Sequence, residues 1–443
     1  MPGRRRSFLA ALVAACALMA IGPLGSAHAA RGMEVAIQDE DVFLSQSYYD
    51  REKAFRAAEA IGTSRMRVIV YWAKTLTRGA GASRAPAQPT YNLAPIDNLI
   101  DQAAKYGIRL HLNLSGPAPA FATGNGRIGP FRPIPARFAE FARDVATHFK
   151  GRVDRYSIWN EPNYPAWIAP QREAGRIYRG VYQAGYGAIK AADPDAKVLM
   201  GETVPYDEPG IATAPLEFLR DVTCVDENYR RKRGCDSLVT DGYAHHPYEF
   251  LHPPRYRYPG ADNAPIGSLT RLTRALKRLA RARALRTPEG GRPDLYLTEF
   301  GYFTSGRRSL PEGRRARFLP QAFEVALRQP GVRSMLQYLL IVPPPQHAFN
   351  TGLIEMNGRK QRPYRTLAVW ARRAIARGAI KRPEPFTLPR APGSPPVAPP
   401  ASPAAPAAPP AQAPSPPTSP SASGGGTAPP SPPPSCPLPP FPC

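Results

Sequence analysis

The sequence predicts a closed (β/α)8 barrel, and three observations support this fold. Between Arg31 and Arg382, short apolar runs alternate with longer helical patterns eight times. Alternation of this kind indicates a parallel sheet whose strands are joined by crossover helices. The stretch of about 350 residues suits one such barrel with long loops. An open doubly wound sheet is the alternative, but no glycine-rich phosphate loop follows an early strand.

The eight predicted strands are short buried runs, and seven of the segments between and after them have helical periodicity. The strands are expected at residues 35–38, 66–72, 108–114, 156–159, 198–201, 238–243, 295–299 and 335–341. The helices are expected at residues 48–60, 93–106, 135–149, 173–191, 268–285, 314–328 and 364–376.

The first 29 residues have the pattern of a signal peptide. Arginines at 4–6 form a basic end, residues 8–24 are mostly apolar, and 27–29 read Ala-His-Ala, a small-x-small cleavage site. We therefore expect a mature chain that begins at Ala30 and is secreted or associated with the cell envelope, without a transmembrane span. A lipoprotein signal ending at Cys16 is the alternative, although it would leave a very short apolar run before the cysteine.

The composition changes after Arg382, and residues 383–443 are predicted to form a disordered tail outside the barrel domain of residues 30–382. Residues 391–443 contain 22 of the 56 prolines and no charged residue, so they cannot build a core. A partly polyproline-II spacer or stalk is the expected form of such a segment.

Four cysteines remain after the signal peptide, and they fall into two close pairs. Because an exported chain favours disulfides, we expect one bridge between Cys224 and Cys235 and another between Cys436 and Cys443. Neither pair has further cysteines or histidines at zinc-ligand spacing, so no cysteine metal site is predicted.

The chain is strongly basic, with 58 Lys and Arg against 34 Asp and Glu and a formal net charge of +24. The arginines are scattered over predicted helices such as residues 271–286 and form no nucleic-acid module, so no specific nucleic-acid partner is expected. Solvated helix faces account for such a charge. Loose attraction to an anionic cell envelope or to a uronate-bearing polysaccharide is the open alternative.

Two predicted strands end on carboxylates. Trp159-Asn160-Glu161-Pro162-Asn163 closes the fourth strand, and Thr298-Glu299-Phe300-Gly301 closes the seventh. The carboxyl ends of barrel strands converge on one mouth, so Glu161 and Glu299 are expected to face each other there. Pro162 is expected to keep Glu161 extended. Two facing carboxylates are the equipment for hydrolysing a glycosidic bond.

Other strand ends carry groups that would serve such a pair. Arg67 is expected to keep Glu299 ionised, and Tyr248 to donate a hydrogen bond to it. Trp72 and Trp159 offer flat apolar faces for a sugar ring. An ordinary buried polar network is the alternative interpretation of Arg67 and Tyr248.

Two neighbouring histidines, His245 and His246, follow the sixth predicted strand and also fit a hydrogen-bonded pair in a loop. They invite a zinc hypothesis, but the His-Glu-x-x-His spacing is absent, so neither a metal nor another cofactor is predicted. Glu202, at the end of the fifth strand, either lines the cleft or caps the next loop.

The two carboxylate motifs resemble glycoside hydrolase clan A, the retaining (β/α)8-barrel glycosidases, and most closely its families 5 and 39. The resemblance covers the whole body, including the segments 349–353 and 357–364. It implies that Glu161 is the acid/base, that Glu299 is the nucleophile, and that Asn160 binds the sugar 2-hydroxyl.

The same resemblance extends to the residues that would contact the sugar. His246 and Tyr248 match the His-x-Tyr of strand six in family 5, and Arg67 matches the arginine of strand two. The sequence departs from family 5 at residues 113–116, where a histidine is usual, and at the eighth strand, where Tyr338 stands in the region of a tryptophan. The substrates of cellulases are therefore not implied.

The sequence thus predicts a secreted retaining glycosidase that cleaves O-glycosidic, β-linked bonds in oligo- or polysaccharides. Retention requires the two carboxyl groups to lie about 5 to 5.5 Å apart, against roughly 6.5 to 9.5 Å for inversion. A non-catalytic carbohydrate-binding or cell-envelope barrel is the alternative. Neither the glycone nor endo against exo action follows from the sequence.

Overall fold

The computed structural model describes residues 32–207, 211–347 and 349–391. The predicted signal peptide, the Cys436–Cys443 pair and nearly all of the predicted tail lie outside the described residues.

The predicted barrel is confirmed: eight parallel strands close on themselves, each pairing with its neighbours along the chain and the last with the first. The strands are β1 (Glu34–Gln38), β2 (Thr63–Tyr71), β3 (Arg109–Ser115), β4 (Arg155–Ile158), β5 (Lys197–Thr203), β6 (Gly242–His245), β7 (Leu295–Leu297) and β8 (Val332–Tyr338). All their carboxyl ends therefore open on one face.

A helix follows every strand and covers the outside of the barrel. These helices are α1 (Arg51–Ala60), α2 (Ala94–Ala104), α3 (Pro135–His148), α4 (Ala174–Ala192), α5 (Pro215–Val222), α6 (Leu269–Arg281), α7 (Glu312–Arg328) and α8 (Arg362–Ala376). Two single-turn helices, Glu40–Phe43 and Trp72–Thr75, follow β1 and β2. The eight-residue helix α5 was not predicted, because so short a segment shows little periodicity.

Local sequence signals explain where several helices begin. Helices α2, α3, α5 and α8 each carry a proline in the first turn, where no backbone N–H partner is needed. Asp50 caps the start of helix α1, and its side chain accepts a 2.7 Å hydrogen bond from the backbone N–H of Lys53.

The sixth strand was predicted incorrectly. Of the apolar run at 238–243, Leu238–Val239 pairs with Leu285–Arg286 in a separate two-stranded sheet, and the barrel strand begins only at Gly242. The chain crosses between the sheets at Asp241, which exchanges two hydrogen bonds with the backbone of Val198. An apolar run does not reveal that it serves two sheets.

The large hydrophobic core lies between the sheet and the helices, whereas much of the barrel interior is polar. At the amino-terminal end of the barrel, buried Glu34 pairs with Arg65 at 2.9 Å and with Arg155 at 2.6 Å. Burial would raise the pKa of Glu34, but the two guanidinium groups hold it well below its usual range. This end of the barrel is thus closed by mutually compensating charges.

The chain continues to contact the barrel beyond Arg382, where the composition placed the domain boundary. The backbone N–H of Phe386 donates to the carbonyl of Ala104 at 3.2 Å, and the guanidinium of Arg109 lies 4.2 Å from the centre of the Phe386 ring. Leu388 also packs against the core. The packed part of the described chain therefore reaches past Arg382.

The disulfide between Cys224 and Cys235 is confirmed and closes a loop after α5 that leads towards β6. Within the described ranges, no helix combines the length and apolar character needed to cross a bilayer.

Candidate active site

The two predicted carboxylates lie in the mouth of the barrel. Glu161 follows β4 and Glu299 follows β7, and their residues are 5% and 7% exposed. One carboxylate oxygen of each, together with a ring nitrogen of His246, lies within 4.8 Å of the others. The fold therefore brings together two acidic groups that are 138 positions apart in the sequence.

Arg67, on β2, organises one side of the site. Its buried guanidinium donates to Glu299 Oε1 at 2.8 Å, to Asn160 Oδ1 at 2.6 Å, to Gln38 Oε1 and, through Nε at 3.3 Å, to Glu202 Oε1. The predicted contact between Arg67 and Glu299 is thus present. Because Arg67 occupies the amide oxygen of Asn160, the NH2 group of that side chain is the part left for another partner.

Glu299 receives a second hydrogen bond on its other oxygen, since the Tyr248 hydroxyl donates to Oε2 at 3.0 Å. Burial raises the pKa of Glu299, and the positive charges of His246 and Arg67 act in the opposite direction. Its carboxylate therefore depends on these neighbouring cations for its charge.

Glu161 is held by partners on both oxygens. Oε1 lies 3.0 Å from His246 Nδ1, and Oε2 accepts a 3.1 Å hydrogen bond from the indole N–H of Trp167. The expectation that Pro162 keeps Glu161 extended is wrong, because the φ of Glu161 is +39°. Its backbone N–H donates to the carbonyl of Glu202, which turns the chain at this strand end.

His246 joins the carboxylates. Its Nε2 lies 2.7 Å from Glu202 Oε2, and its Nδ1 lies 3.0 Å from Glu161 and 3.6 Å from Glu299. Burial disfavours the charged ring, but the charges of Glu299, Glu161 and Glu202 raise the pKa of His246 to about 9. This shift favours the imidazolium form at neutral pH, in which both ring nitrogens are donors.

Glu202 was left open in the sequence interpretation and proves to be central. It is fully buried and accepts hydrogen bonds from Arg67, His246, Ser157 and, at 2.6 Å, Thr298. Although burial opposes its charge, Arg67 and His246 hold the pKa of Glu202 well below its usual range. The sequence feature that could have identified Glu202 was its position, because it is a third carboxylate at the end of a buried strand.

The prediction that Trp72 contacts the sugar is wrong, and the same holds for Trp159. Trp72 is 1% exposed and stacks on Phe141 with ring centres 5.4 Å apart, while Trp159 packs against Phe138. Both rings face the helices rather than the mouth. Trp167 is the half-buried tryptophan next to Glu161, and the sequence analysis missed it.

Tyr338, at the end of β8, is half-buried and belongs to an aromatic wall. This wall consists of Tyr248, Phe250, Phe303, Tyr338 and Phe349, whose consecutive rings are 4.5 to 5.4 Å apart between centres. Since Tyr248 also binds Glu299, the wall begins at the carboxylates and extends away from them.

The residues at the departures from family 5 support the backbone of the fourth strand end. Asn113 donates to Ser157 Oγ at 2.9 Å and to the carbonyl of Trp159 at 2.7 Å. Ser115 Oγ accepts a 2.9 Å hydrogen bond from the N–H of Asn160. These side chains thus fix the orientation of Asn160 and its neighbours.

Glu161, His246 and Glu299 each offer one possible metal-ligand atom, and these atoms are close enough together to hold a metal ion. Each of the three residues already makes hydrogen bonds to protein groups, and the guanidinium of Arg67 lies beside Glu299. These contacts account for the arrangement, and we assign no metal to it.

The fold and the site define a (β/α)8 barrel with paired carboxylates at its mouth. No protein-family model matches the chain, and no curated protein matches it. Solved structures do match. A family 39 glycoside hydrolase from Bacteroides cellulosilyticus WH2 is 19% identical, with a TM-score of 0.54 over 77% of this chain and 64% of that chain.

Two further solved structures illustrate the range of similar barrels. A monomeric β-xylosidase from Caulobacter crescentus CB15 is 17% identical, with a TM-score of 0.51 over 77% of this chain and 69% of that one. Xylanase 10B from Thermotoga petrophila RKU-1 is 16% identical, with a TM-score of 0.50 over 78% and 95%. At these identities the similarity establishes the barrel fold expected from the resemblance to clan A, and the chemistry rests on the site itself.

Proposed function

We propose that this protein is a retaining glycoside hydrolase that cleaves β-linked O-glycosidic bonds by double displacement. The observation that carries the proposal is the pair Glu161 and Glu299, each of which places an oxygen within 4.8 Å of the other. Retaining enzymes hold their carboxyl groups about 5 to 5.5 Å apart, whereas inverting enzymes leave roughly 6.5 to 9.5 Å for a water molecule. The geometry favours the shorter class.

In the first step, Glu299 attacks the anomeric carbon while Glu161 donates a proton to the departing oxygen. Arg67 and Tyr248 orient the two oxygens of Glu299, so the attacking group is fixed and stabilised as a carboxylate. The NH2 group of Asn160 is free to donate to the sugar 2-hydroxyl, because Arg67 holds the amide oxygen.

In the second step, Glu161 takes a proton from water, and the resulting hydroxide-like oxygen attacks the anomeric carbon and releases Glu299. Two inversions at the same carbon retain the configuration. The indole N–H of Trp167 stabilises Glu161 while it is ionised in the intermediate.

We further propose an exported oligo- or polysaccharide hydrolase, since the first 29 residues have the pattern of a signal peptide and the Cys224–Cys235 disulfide suits an oxidising compartment. Tyr338 and Phe349, the half-buried rings of the aromatic wall, supply apolar faces of the kind that pack against sugar rings. Loose attraction to anionic envelope polymers is proposed from the net charge alone, and such binding would weaken as salt rises.

The test is a panel of aryl β-glycosides assayed with the wild type, Glu161→Ala and Glu299→Ala. Each variant is expected to lose at least about 10³-fold in hydrolysis, because Glu299 forms the glycosyl-enzyme and Glu161 transfers a proton in both steps. NMR of the first-formed sugar should show the β-anomer. The matched control is Glu59→Ala on the exposed face of α1, which should keep full activity.

Azide separates the two roles. With an activated aryl substrate, Glu161→Ala should be rescued by azide and form the β-glycosyl azide, whereas Glu299→Ala should form the α-glycosyl azide. A wild type that binds oligosaccharides but hydrolyses none of the panel would contradict the proposal and support a non-catalytic carbohydrate-binding barrel.

A further inference from the structure

The buried carboxylate of Glu202 has no step in the proposed reaction, although it is the most heavily hydrogen-bonded acid of the site. Ser157 from β4, Thr298 after β7 and Arg67 from β2 all donate to it. His246 Nε2 lies 2.7 Å from Glu202 Oε2, and His111 Nε2 lies 3.9 Å from Oε1. Side chains from several different strands thus hold one carboxylate against the Nε2 edge of a histidine ring.

The contact with Glu202 determines what the other side of the imidazole does. With Nε2–H donating to Glu202, Nδ1 points at the pair of reacting carboxylates, 3.0 Å from Glu161 Oε1 and 3.6 Å from Glu299 Oε2. The neighbouring imidazoles of His111 and His245 do not supply this charge, because burial lowers the pKa of both.

We propose that Glu202 is a positioning residue that holds His246 as an imidazolium. The Nδ1–H of that ring stabilises the negative charge of whichever of Glu161 and Glu299 is ionised. The inference rests on the proposed function. In the free enzyme Glu299 is the anion, and the imidazolium acts on it as a positive charge 3.6 Å away while Nδ1 contacts Glu161 Oε1 at 3.0 Å. Once Glu299 is bonded to the sugar and Glu161 has given up its proton, Glu161 is the anion and receives the same Nδ1–H.

Charge balance explains why a third carboxylate is needed. Before the reaction the groups joined by direct ion pairs are anionic Glu299 and Glu202, cationic Arg67 and His246, and protonated Glu161, so their charges cancel. Glu40 lies next to this cluster, and burial raises its pKa to about 7. In the glycosyl-enzyme the anions are Glu161 and Glu202, and the charges cancel again. Without the charge of Glu202 the same cluster would be positive in both states, which favours loss of the proton from His246.

The variant Glu202→Gln tests this assignment, because it keeps the shape of the side chain and removes its charge. The 15N NMR signals of His246, assigned with His246→Gln, should show both ring nitrogens protonated in the wild type at pH 7 to 8. In Glu202→Gln the ring should lose one proton at a lower pH. The kcat for an aryl β-glycoside should fall roughly 100-fold with little change in KM.

Glu34→Gln is the matched control, since Glu34 is also buried and paired with two arginines but lies at the opposite end of the barrel. It should leave the His246 spectrum and the kcat of folded protein unchanged. A neutral His246 in the wild type at pH 7 overturns the proposal without any variant. So does a Glu202→Gln protein with the wild-type spectrum and kcat.

The 15N NMR spectra and the kcat measurements test this proposal separately from the proposed function. If the wild type hydrolyses no glycoside, the proposed reaction is wrong. The inferred interaction of His246 Nδ1–H with Glu299 and Glu161 in turn is then wrong as well. The spectra then still decide whether Glu202 maintains the His246 imidazolium. If the wild type is active and only the spectra disagree, the reaction stands and the role of Glu202 falls.

Discussion

Replacing Arg67 with methionine should move the acid limb of the pH–rate profile to higher pH. The guanidinium of Arg67 is fully buried and bonds Glu299 at 2.8 Å. Methionine has a similar length and no charge. The substitution leaves the His246 imidazolium as the nearest cation to Glu299 and to Glu202.

The direction of the shift follows from the two protonation states of Glu299. It attacks only as a carboxylate, so the rate falls as the pH falls through its pKa. Burial already raises that pKa and Arg67 lowers it, so removing Arg67 raises it further. The acid limb therefore moves up.

The magnitude can be bounded from the contact. Two charges about 4 Å apart interact by about 4 kcal/mol at an effective dielectric constant of roughly 20, which corresponds to about three pKa units. Because His246 remains and water reaches the mouth, we expect a shift of about one to two units. Breaking a buried ion pair should also cost about 3 to 5 kcal/mol in the free energy of unfolding.

The assay is kcat/KM for an aryl β-glycoside from pH 4 to 9, together with urea unfolding. Arg155→Met is the control, because Arg155 also pairs with a buried glutamate, Glu34, but far from the mouth. It should lower stability and leave the acid limb in place. A folded Arg67→Met enzyme with an unshifted acid limb would refute the role given to Arg67.

Four further outcomes are expected. Trp167→Phe removes the N–H that Glu161 accepts at 3.1 Å, and because a hydrogen bond to a charged group is worth about 1.5 to 3 kcal/mol, breakdown of the glycosyl-enzyme should slow about 10- to 100-fold in pre-steady-state kinetics. Reducing the Cys224–Cys235 disulfide should lower the free energy of unfolding by very roughly 2 to 3 kcal/mol in urea titrations, as expected for so short a loop, and the double serine variant should show the same loss without reductant. A chain ending at Ala391 should match the stability and aryl glycosidase activity of the full chain, whereas one ending at Arg382 should be less stable by about 1 to 2 kcal/mol because it loses the packing of Phe386 on Arg109. The pKa of Glu34 is lowered in the folded protein, so its contribution to stability is present above its ordinary pKa of 4.5 and is lost as the pH falls below that value. Glu34→Gln should remove this part of the acid dependence of stability. The measurement is the midpoint of urea unfolding between pH 5 and 3.

The sequence predicted the barrel and the carboxylate pair because both depend on local patterns. A buried apolar run shows where a strand lies, and a polar residue at its end shows what the strand delivers to the mouth. Glu161 and Glu299 were found in this way. The same pattern also suggested Trp72, whose ring faces the helices instead, because the sequence pattern did not show which way a side chain points where a strand ends.

Contacts made by loops were beyond the sequence. Trp167 lies six residues after Glu161, and it returns to that carboxylate through turns in which Tyr164 N–H donates to the Glu161 carbonyl and Trp167 N–H donates to the Tyr164 carbonyl. Nothing in the spacing of these residues fixes those turns. The partners of Glu202 were hidden for a related reason, since they come from strands that are far apart in the chain.

The two ends of the barrel show how the same chemistry gives a structural site or a reactive one. At the amino-terminal end, Glu34 and Asp154 face Arg65 and Arg155, so the charges cancel when every group is ionised. At the mouth, ion pairs join three carboxylates, Glu161, Glu202 and Glu299, to the two cations Arg67 and His246. The acids of that cluster outnumber its cations by one, and the carboxyl of Glu40, whose pKa burial raises to about 7, adds to this excess when it is ionised. Arg67 and Tyr248 donate to the two oxygens of Glu299, Glu202 accepts from four side chains, and Glu161 contacts His246 and the indole N–H of Trp167. An excess of one acid over the paired cations therefore distinguishes the mouth from the amino-terminal end, and the proposed reaction needs one of these acids in its protonated form.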